Sequence, residues 1–479
     1  MNTLKLSMLS ATILATLGLT ACGGGGGTAS TGGTASPAGV ASGAITGFGS
    51  VFVNGVEYKT GGASFSVNGA SAGESQLKVG MVVTVDGTVD PGGKTGTATS
   101  VSFSDDMHGE VLAANVAANG TGTLNVMGQT VTLTASTQFD SQVTGITSAA
   151  LIAVGNVVEV SGYTSGTGTV YATHIEVQRA AVQPGEDIEV KGVVQGLDSA
   201  ASTFKIGGLT VNYANAQLNA LPNGSLQNGL YVEVQSTSAL SGTTMTADRV
   251  TLDGDGKPGI KGKEGEDAHL SGVVTAVSSS SQFDLNGQTV IIGSGTEFSH
   301  GSAAGITQGI NLQVEGSLNS AGQLVASEIA FRERPSLELA AAVTAVDSAA
   351  GTVTVLGKTI QVNNNTITKD QQDANGQTPV RYFSLKNIST GDRVDINAYA
   401  SSTGGALVAT KLERINPSTA GIVQLEGTVS QTGTNQLTIS GITVDTSGVS
   451  GVTVVAGNQV KVTGTFSGST LVATTLSKS

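Results

Sequence analysis

The 479-residue sequence contains one cysteine, no tryptophan and four histidines, and each scarcity excludes a class of protein. A single thiol cannot build a disulfide framework, so stability has to come from packing. The histidines include no pair at the spacing of zinc ligands: His108, His174, His269 and His300. The sequence therefore predicts no zinc site, and nothing in it indicates another cofactor.

Aromatic residues are 4% of the chain and charged residues 12%, with a formal net charge of −13. A surface for single-stranded nucleic acid needs a basic groove lined with aromatic rings. This composition therefore argues against nucleic acid, and against an anionic lipid surface, as partner. Four aromatic residues are candidates for a glycan platform, but we expect packing to occupy most of them: Phe48, Phe52, Tyr58 and Tyr231.

Glycine is abundant, with 68 residues, and Thr, Ser, Val and Ala fill much of the remainder. This composition is typical of strands and turns, and no amphipathic helix is evident.

The N-terminus has the pattern of an export signal. Lys5 precedes an uncharged run from Leu6 to Leu19, which is shorter than the roughly 17–25 residues of a membrane-spanning helix. Residues 1–21 are therefore predicted to be a signal peptide. Leu19-Thr20-Ala21-Cys22 resembles the bacterial lipobox, and the resemblance implies that Cys22 is lipidated. The alternative is an ordinary signal peptide followed by an incidental cysteine.

Five glycines follow Cys22, and the segment 22–42 is predicted to be a flexible Gly/Ser/Thr tether. In bacterial lipoproteins an aspartate after the cysteine retains the protein at the inner membrane, and Gly23 stands there instead. We therefore expect an exported protein anchored by lipid to the outer membrane, facing the periplasm or the cell surface.

A pattern G-x-x-V-x-V-x-G occurs six times, beginning at Gly80, Gly155, Gly229, Gly309, Gly391 and Gly457. The third and fifth positions after each glycine are always apolar, whereas their neighbours are mostly polar. This alternation predicts a half-buried strand. Three residues before each glycine is an apolar side chain that we expect to close one barrel end: Leu77, Ile152, Leu226, Ile306, Ile388 and Val454.

Each copy also contains an opening G-x-V or a relative of it, a hairpin turn with glycine, and a later strand of small residues. Val53-Asn54-Gly55-Val56 carries the Asn-Gly signal of a two-residue turn. We count about five strands per copy. Because a small open sheet would leave two edges exposed, we predict an all-β tandem array of about six five-stranded OB-like barrels. Small β-sandwiches are the runner-up.

The predicted modules are 43–103, 108–177, 189–252, 269–331, 337–413 and 424–477, with an acidic Gly-rich linker at 253–267. The other linkers are 178–187, 332–336 and 414–423, and 369–379 is predicted to be a surface loop. Stacked end to end, six such bodies would reach about 150 Å.

These repeats, and most clearly GFGSVFVNGVEY from Gly47 and QLKVGMVVTVDG from Gln76, resemble the bacterial repeat family known as domain of unknown function 5666. The resemblance covers nearly all of the mature chain. It implies tandem modules in exported lipoproteins and supplies no reaction and no catalytic residues.

The segment DGDGKPGIKGKEGED from Asp253 is the most site-like part of the sequence. Asp253, Asp255 and Glu264 occupy positions 1, 3 and 12 of an EF-hand loop, but Pro258 stands where the turn needs glycine. The three carboxylates are thus weak candidates for a calcium site, and a solvated linker is the favoured alternative.

Two other features suggest chemistry and are better explained by structure. Gly69-Ala70-Ser71-Ala72-Gly73 matches G-x-S-x-G, but no helix pattern follows it, so we expect a surface loop. Glu159, Glu233 and Glu315 fall on outward strand positions, where solvation is the expected role.

Catalysis needs titratable groups that converge, and the sequence shows none, so an enzyme is not expected. The favoured hypothesis is a non-catalytic, lipid-anchored scaffold, spacer or adhesion protein that contacts other envelope components. The alternative is a surface lipoprotein that binds a glycan or a divalent cation.

Overall fold

The repeated apolar positions form the cores of six β-barrels in the computed structural model, which describes residues 39–333, 335–371, 379–401, 405–416 and 421–478. The predicted signal peptide, Cys22 and the tether up to residue 38 lie outside the described residues. The secondary structure of the described part consists of strands and short 3-10 turns. Within it, no helix is long and apolar enough to span a membrane.

The strands follow one plan in every module. The strands of module 1 are Gly39–Phe48, Val51–Val53, Val56–Lys59, Ser64–Val67, Ala70–Ala72, Val82–Val89 and Thr95–Phe103. Those of module 2 are Met107–Val116, Gly122–Val126, Gln129–Leu133, Gln138–Ser141, Val157–Thr164 and Thr169–Arg179. The strands of module 3 are Ile188–Val193, Gln195–Asp198, Thr203–Ile206, Leu209–Asn212, Gln217–Asn219, Tyr231–Ser236, Thr244–Thr246 and Arg249–Leu252. Those of module 4 are Asp267–Ser279, Gln282–Leu285, Gln288–Ser299, Asn311–Leu318 and Leu324–Phe331. The strands of module 5 are Leu337–Asp347, Thr352–Val355, Lys358–Gln361, Ile367–Asp370, Arg393–Ala400 and Leu407–Arg414. Those of module 6 are Val423–Gly433, Gln436–Ile439, Ile442–Asp445, Gln459–Ser467 and Thr470–Lys478.

The hydrogen-bonded pairs close each module into a five-stranded barrel. In module 1 the first strand pairs with Val51–Val53 and with Val82–Val89, and the ring closes through parallel pairing of Val56–Lys59 with Thr95–Phe103. Modules 2, 4, 5 and 6 close in the same order, and in module 3 the first and last strands are each interrupted. This order is OB-like and confirms the predicted fold.

The repeat positions have the predicted burial. The twelve apolar residues of the glycine strand are at most 1% exposed: Val83, Val85, Val158, Val160, Val232, Val234, Leu312, Val314, Val394, Ile396, Val460 and Val462. Leu77, Ile152, Leu226, Ile306 and Ile388 are buried beside short 3-10 turns, and Val454 packs against the core as a partly buried side chain. The hydrophobic effect therefore acts through the same few positions in every barrel.

The glycine of each repeat is required by its backbone conformation. Its φ lies between 85° and 95° in all six modules, a region that disfavours any side chain. The glycine of the opening G-x-V is required for a different reason, which is the lack of space for a side chain. A Cβ on Gly43 would lie 2.0 Å from the side chain of Asn54, and one on Gly272 would lie equally close to Asn286.

The modules associate through the first half of their first strands. Gly39–Ser42 of module 1 pairs in parallel with Asp267–Leu270 of module 4. Module 2 pairs with module 3 through Met107 and His108, and module 5 with module 6 through Leu337–Ala340. This half-strand is an unpaired edge in an isolated barrel, because its second half turns away to pair with the second strand.

The modules are therefore not stacked end to end, and the expected 150 Å array is wrong. Module 1 contacts module 4 rather than only its sequence neighbour, and the described residues from Gly39 onward belong to one compact unit. Val40 of module 1 is buried in the core cluster of module 4. The predicted end of the tether at residue 42 is also wrong, because the last four residues assigned to it, Gly39–Ser42, belong to the first strand.

Candidate functional site

The three predicted calcium ligands do not form a ligand group. Asp255 pairs with Lys261 through Oδ1 and Nζ at 2.5 Å, and Glu264 is exposed. Burial raises the pKa of Asp255, but the hydrogen bond and charge of Lys261, together with backbone hydrogen bonds, outweigh it and the net pKa is lowered. Among the residues that the structure describes, no group of three or more His, Cys, Asp or Glu side chains is arranged to hold a metal ion.

Buried charged groups that were not predicted from the sequence lie at the contacts between modules, which we call seams. Lys191 of module 3 is buried, and its ammonium donates to the backbone carbonyl of Asp105 at 3.0 Å and to Ser104 Oγ. Glu189 and Glu233 lie 3.5 Å and 3.7 Å from the same nitrogen. Burial opposes the charge of Lys191, but the surrounding carboxyl groups, first Glu189 and then Asp105 and Glu233, together outweigh it and raise its pKa.

Two aspartates of the segment between modules 1 and 2 complete this seam. Asp105 is 2% exposed, and burial, followed by the charge of Glu189, raises its pKa to about 8. Burial also raises the pKa of Asp106 to about 7, although Asp106 Oδ2 accepts a hydrogen bond from Gly162 N at 2.8 Å. The segment is thus held between the second and third barrels by buried polar groups.

A cavity of about 290 Å³ lies at the seam between modules 1 and 4 and is lined by Tyr58, His269 and Glu315. His269 Nε2 lies 3.3 Å from Glu315 Oε1 and also contacts Gln313 Nε2. Gln313 in turn donates to the carbonyl of Asn54 at 3.1 Å. Burial lowers the pKa of His269 to about 3, whereas burial and Glu315 raise that of Tyr58.

The predicted hairpin turn of module 1 contributes directly to this seam. Asn54 has a φ of 55° and is followed by Gly55 at 82°, as the Asn-Gly signal predicts. Its amide nitrogen donates to the carbonyls of Ser42 at 3.0 Å and of His269 at 2.8 Å. One turn residue therefore ties its own first strand to that of module 4.

Module 5 is joined to module 2 by an ionic contact. Lys369 Nζ lies 3.1 Å from Asp140 Oδ1 and donates to the carbonyl of Phe139 at 3.0 Å. His174, which is fully buried, lies 3.0 Å from Asp140 Oδ2. Burial works against ionisation of Asp140, but His174 and Lys369 lower its pKa. The expected surface loop thus begins with a strand residue, Lys369, that bridges two barrels.

Module 5 is also joined to module 1. The guanidinium of Arg381 stacks over Phe48, 4.3 Å from the ring centroid, and donates to the carbonyl of Glu74. Thr46 Oγ1 donates to the carbonyl of Asn364 at 2.9 Å. Four modules, 1, 2, 4 and 5, therefore make direct contacts outside the paired first strands.

The remaining predictions have mixed outcomes. Phe48, Tyr58 and Tyr231 are buried, which confirms core packing for these rings. The G-x-S-x-G segment is at the surface, but Ala70–Ala72 forms a short edge strand rather than a loop. The expected solvation is wrong for Glu159 and Glu233, which are partly buried, whereas Glu315 is exposed as expected. Desolvation raises the pKa of all three carboxyls.

The family model for Domain of unknown function (DUF5666) matches residues 39–102, 109–176, 191–251, 271–330 and 341–413. The repeats, the closed barrels and this match agree, and the chain belongs to this family. The sixth module lies beyond the matched segments, yet Val423–Lys478 closes into the same barrel.

No curated protein matches the chain. Among solved structures, the chain is similar to one titled drosophila Unr CSD456, with 12% sequence identity. The similarity covers 47% of this chain and 96% of that one, with a TM-score of 0.12, and it carries no argument about fold or function.

Proposed function

We propose that this chain is a non-catalytic, lipid-anchored protein of the bacterial envelope, in which the six barrels form one rigid scaffold for other envelope components. The observation that carries the proposal is the use of charged and polar side chains at the seams. Lys191, Lys369 and Arg381 each bind groups on another part of the array.

The seams favour a rigid body over a flexible string of domains. Linked domains that move independently bury little surface between them, whereas here backbone hydrogen bonds cross three module boundaries. Such pairing fixes the spacing and orientation of surface groups on different barrels. A scaffold needs this property, because it holds its partners in fixed relative positions.

The anchor is proposed from the sequence, through the lipobox-like segment ending at Cys22. The signal peptide would be removed, and Cys22 would become the lipidated N-terminus, ahead of the first described strand, which begins at Gly39. Outer-membrane placement follows from Gly23 in the retention position. The net charge of −13 favours partners with neutral or basic surfaces.

The anchor is tested by fractionating cells that produce the wild-type protein or Cys22→Ala. We expect the wild type in the outer-membrane fraction, with an acylated N-terminal peptide in mass spectrometry, and the variant in the soluble fraction. An unmodified Cys22 in the soluble fraction of wild-type cells would overturn the anchored form of the proposal.

The scaffold role is tested by chemical cross-linking of intact cells, followed by identification of the joined proteins. We expect a reproducible set of envelope proteins with wild type, and a reduced set with Cys22→Ala at equal abundance. If a purified sample instead turns over a substrate, the non-catalytic assignment fails, whatever the anchor result.

A further inference from the structure

Two cavities meet at Arg332, in the segment that sequence analysis assigned to the linker after module 4. The first cavity, of about 200 Å³, is lined by residues of modules 1, 2, 4 and 5, among them Asn54, Tyr163 and Ser271. The second, of about 270 Å³, lies between modules 4 and 5 and includes Tyr399. Arg332 lines both.

The guanidinium of Arg332 has no partner among the described residues. Its backbone nitrogen donates to the carbonyl of Asn311 at 3.0 Å, but no ion pair or side-chain hydrogen bond engages the cationic group. Arg414 of module 5 is held differently, with its Nη2 2.6 Å from Asp370 Oδ2. Arg332 is partly buried, and a guanidinium in such a place without a protein acceptor favours an anion as its partner.

The carboxylates around the cavities do not fill this role. Glu328 lines the second cavity and accepts a hydrogen bond from Ser299 Oγ at 2.7 Å. Glu333 lines both cavities, but its side chain is exposed and forms no ion pair with Arg332. Solvent therefore screens Glu333 more than it screens Arg332.

A second observation concerns two residues that line the first cavity. Ser271 is only 7% exposed, and its hydroxyl oxygen has no hydrogen-bond partner in the part of the chain that the structure describes. The hydroxyl oxygen of Tyr163 accepts a hydrogen bond from Ala44 N at 3.3 Å, which leaves the phenolic proton to donate. Buried hydroxyls in proteins are normally satisfied, and here both line the cavity that Arg332 enters.

We propose that this cavity binds a small hydroxylated carboxylate of about the size of a sugar acid. The guanidinium of Arg332 suits a carboxylate because its paired N–H groups match the two oxygens. Ser271 and Tyr163 would then hydrogen-bond the hydroxyls or the second carboxylate oxygen. This binding role goes beyond the scaffold role and does not depend on it.

The test is isothermal titration of the purified mature full chain with D-glucuronate, with D-glucose as the matched neutral probe. We expect heat of binding for D-glucuronate and none for D-glucose. Arg332→Gln should weaken binding at least tenfold, because it removes the charge and the paired donors, and Ser271→Ala should weaken it about threefold. Arg249→Gln, at an exposed arginine of module 3, should bind as wild type does.

Circular dichroism of each variant separates loss of binding from loss of fold. If Arg332→Gln fails to fold, Arg332→Lys and Ser271→Ala carry the comparison, and both are expected to bind more weakly than wild type. The proposal is overturned if wild type shows no heat with millimolar D-glucuronate, if D-glucose binds equally well, or if the folded cavity variants bind like wild type.

Discussion

Asp105 makes the stability of the seam between modules 2 and 3 depend on pH in an unusual direction. A carboxyl of ordinary pKa 3.8 ionises early in the unfolded chain, whereas burial and Glu189 raise the pKa of folded Asp105 to about 8. Between these values folding takes up a proton. The stabilisation is therefore complete below pH 3.8 and is lost as pH rises through about 8.

The magnitude follows from linkage. One proton taken up on folding changes the free energy of unfolding by about 1.4 kcal/mol per pH unit. From pH 5 to pH 7, Asp105 should therefore remove roughly 3 kcal/mol of stability from the wild type. Asp105→Asn should abolish this dependence of stability on pH. The substitution keeps the hydrogen bond from Lys191, because the lysine donates to the backbone carbonyl of residue 105.

The assay is urea unfolding of wild type and Asp105→Asn at pH 5, 6 and 7, followed by far-ultraviolet circular dichroism. The quantity of interest is the difference between the two proteins at each pH, since other titrating groups, such as His269, are common to both. The stability of the variant relative to wild type should increase by roughly 3 kcal/mol from pH 5 to pH 7.

A constant difference between the two proteins across this range would refute the reasoning, because it would mean that Asp105 ionises alike in the folded and unfolded chains. Asp106→Asn provides a second measurement. Burial raises the pKa of Asp106 to about 7, so its slope should end about one pH unit earlier.

Two further predictions concern contacts between barrels. Gly80 and Gly391 have similar positive φ values, 90° and 95°. A Cβ on Gly80 would lie 2.5 Å from the carbonyl of Thr173, whereas one on Gly391 would have no described atom within 4 Å. Gly80→Ala should therefore cost about 3 kcal/mol and Gly391→Ala about 1–2 kcal/mol, and equal shifts in melting temperature would contradict the role of that contact. Lys369→Ala should speed hydrogen exchange at Asp140 with only about 1–2 kcal/mol of global destabilisation, whereas unchanged exchange would show that the bridge does not hold the two modules together.

The barrel interior could be predicted from the sequence because it repeats. Alternating apolar residues identify which face of a strand is buried, and the glycine before Val83 and its counterparts marks a backbone that only glycine adopts easily. Six copies of weak signals made the strand order evident. The hairpin at Asn54-Gly55 was predictable for the same local reason.

The seams could not be predicted in this way. Alternation identifies the buried face of a strand but not which edge meets which partner, so the pairing of Gly39 with Asp267 left no local signal. Lys191 and Arg332 gave no signal either, because a lone basic residue looks the same whether it meets solvent or a cavity. The burial of outward-facing carboxylates such as Glu233 was also not predicted. A side chain that points away from its own barrel can be covered by a neighbouring module, and Glu233 lies beside the buried Lys191.

The pairing of first strands also sets an order of assembly. Modules 2 and 3 are neighbours in the chain, as are modules 5 and 6, so their seams form between segments synthesised in succession. Gly39 instead pairs with Asp267 of module 4, and modules 2 and 3 lie between these two residues in the chain. Distant pairings of this kind form slowly. Until module 4 has emerged, the first barrel carries an open strand edge, which is the part of the chain most exposed to mispairing with another copy.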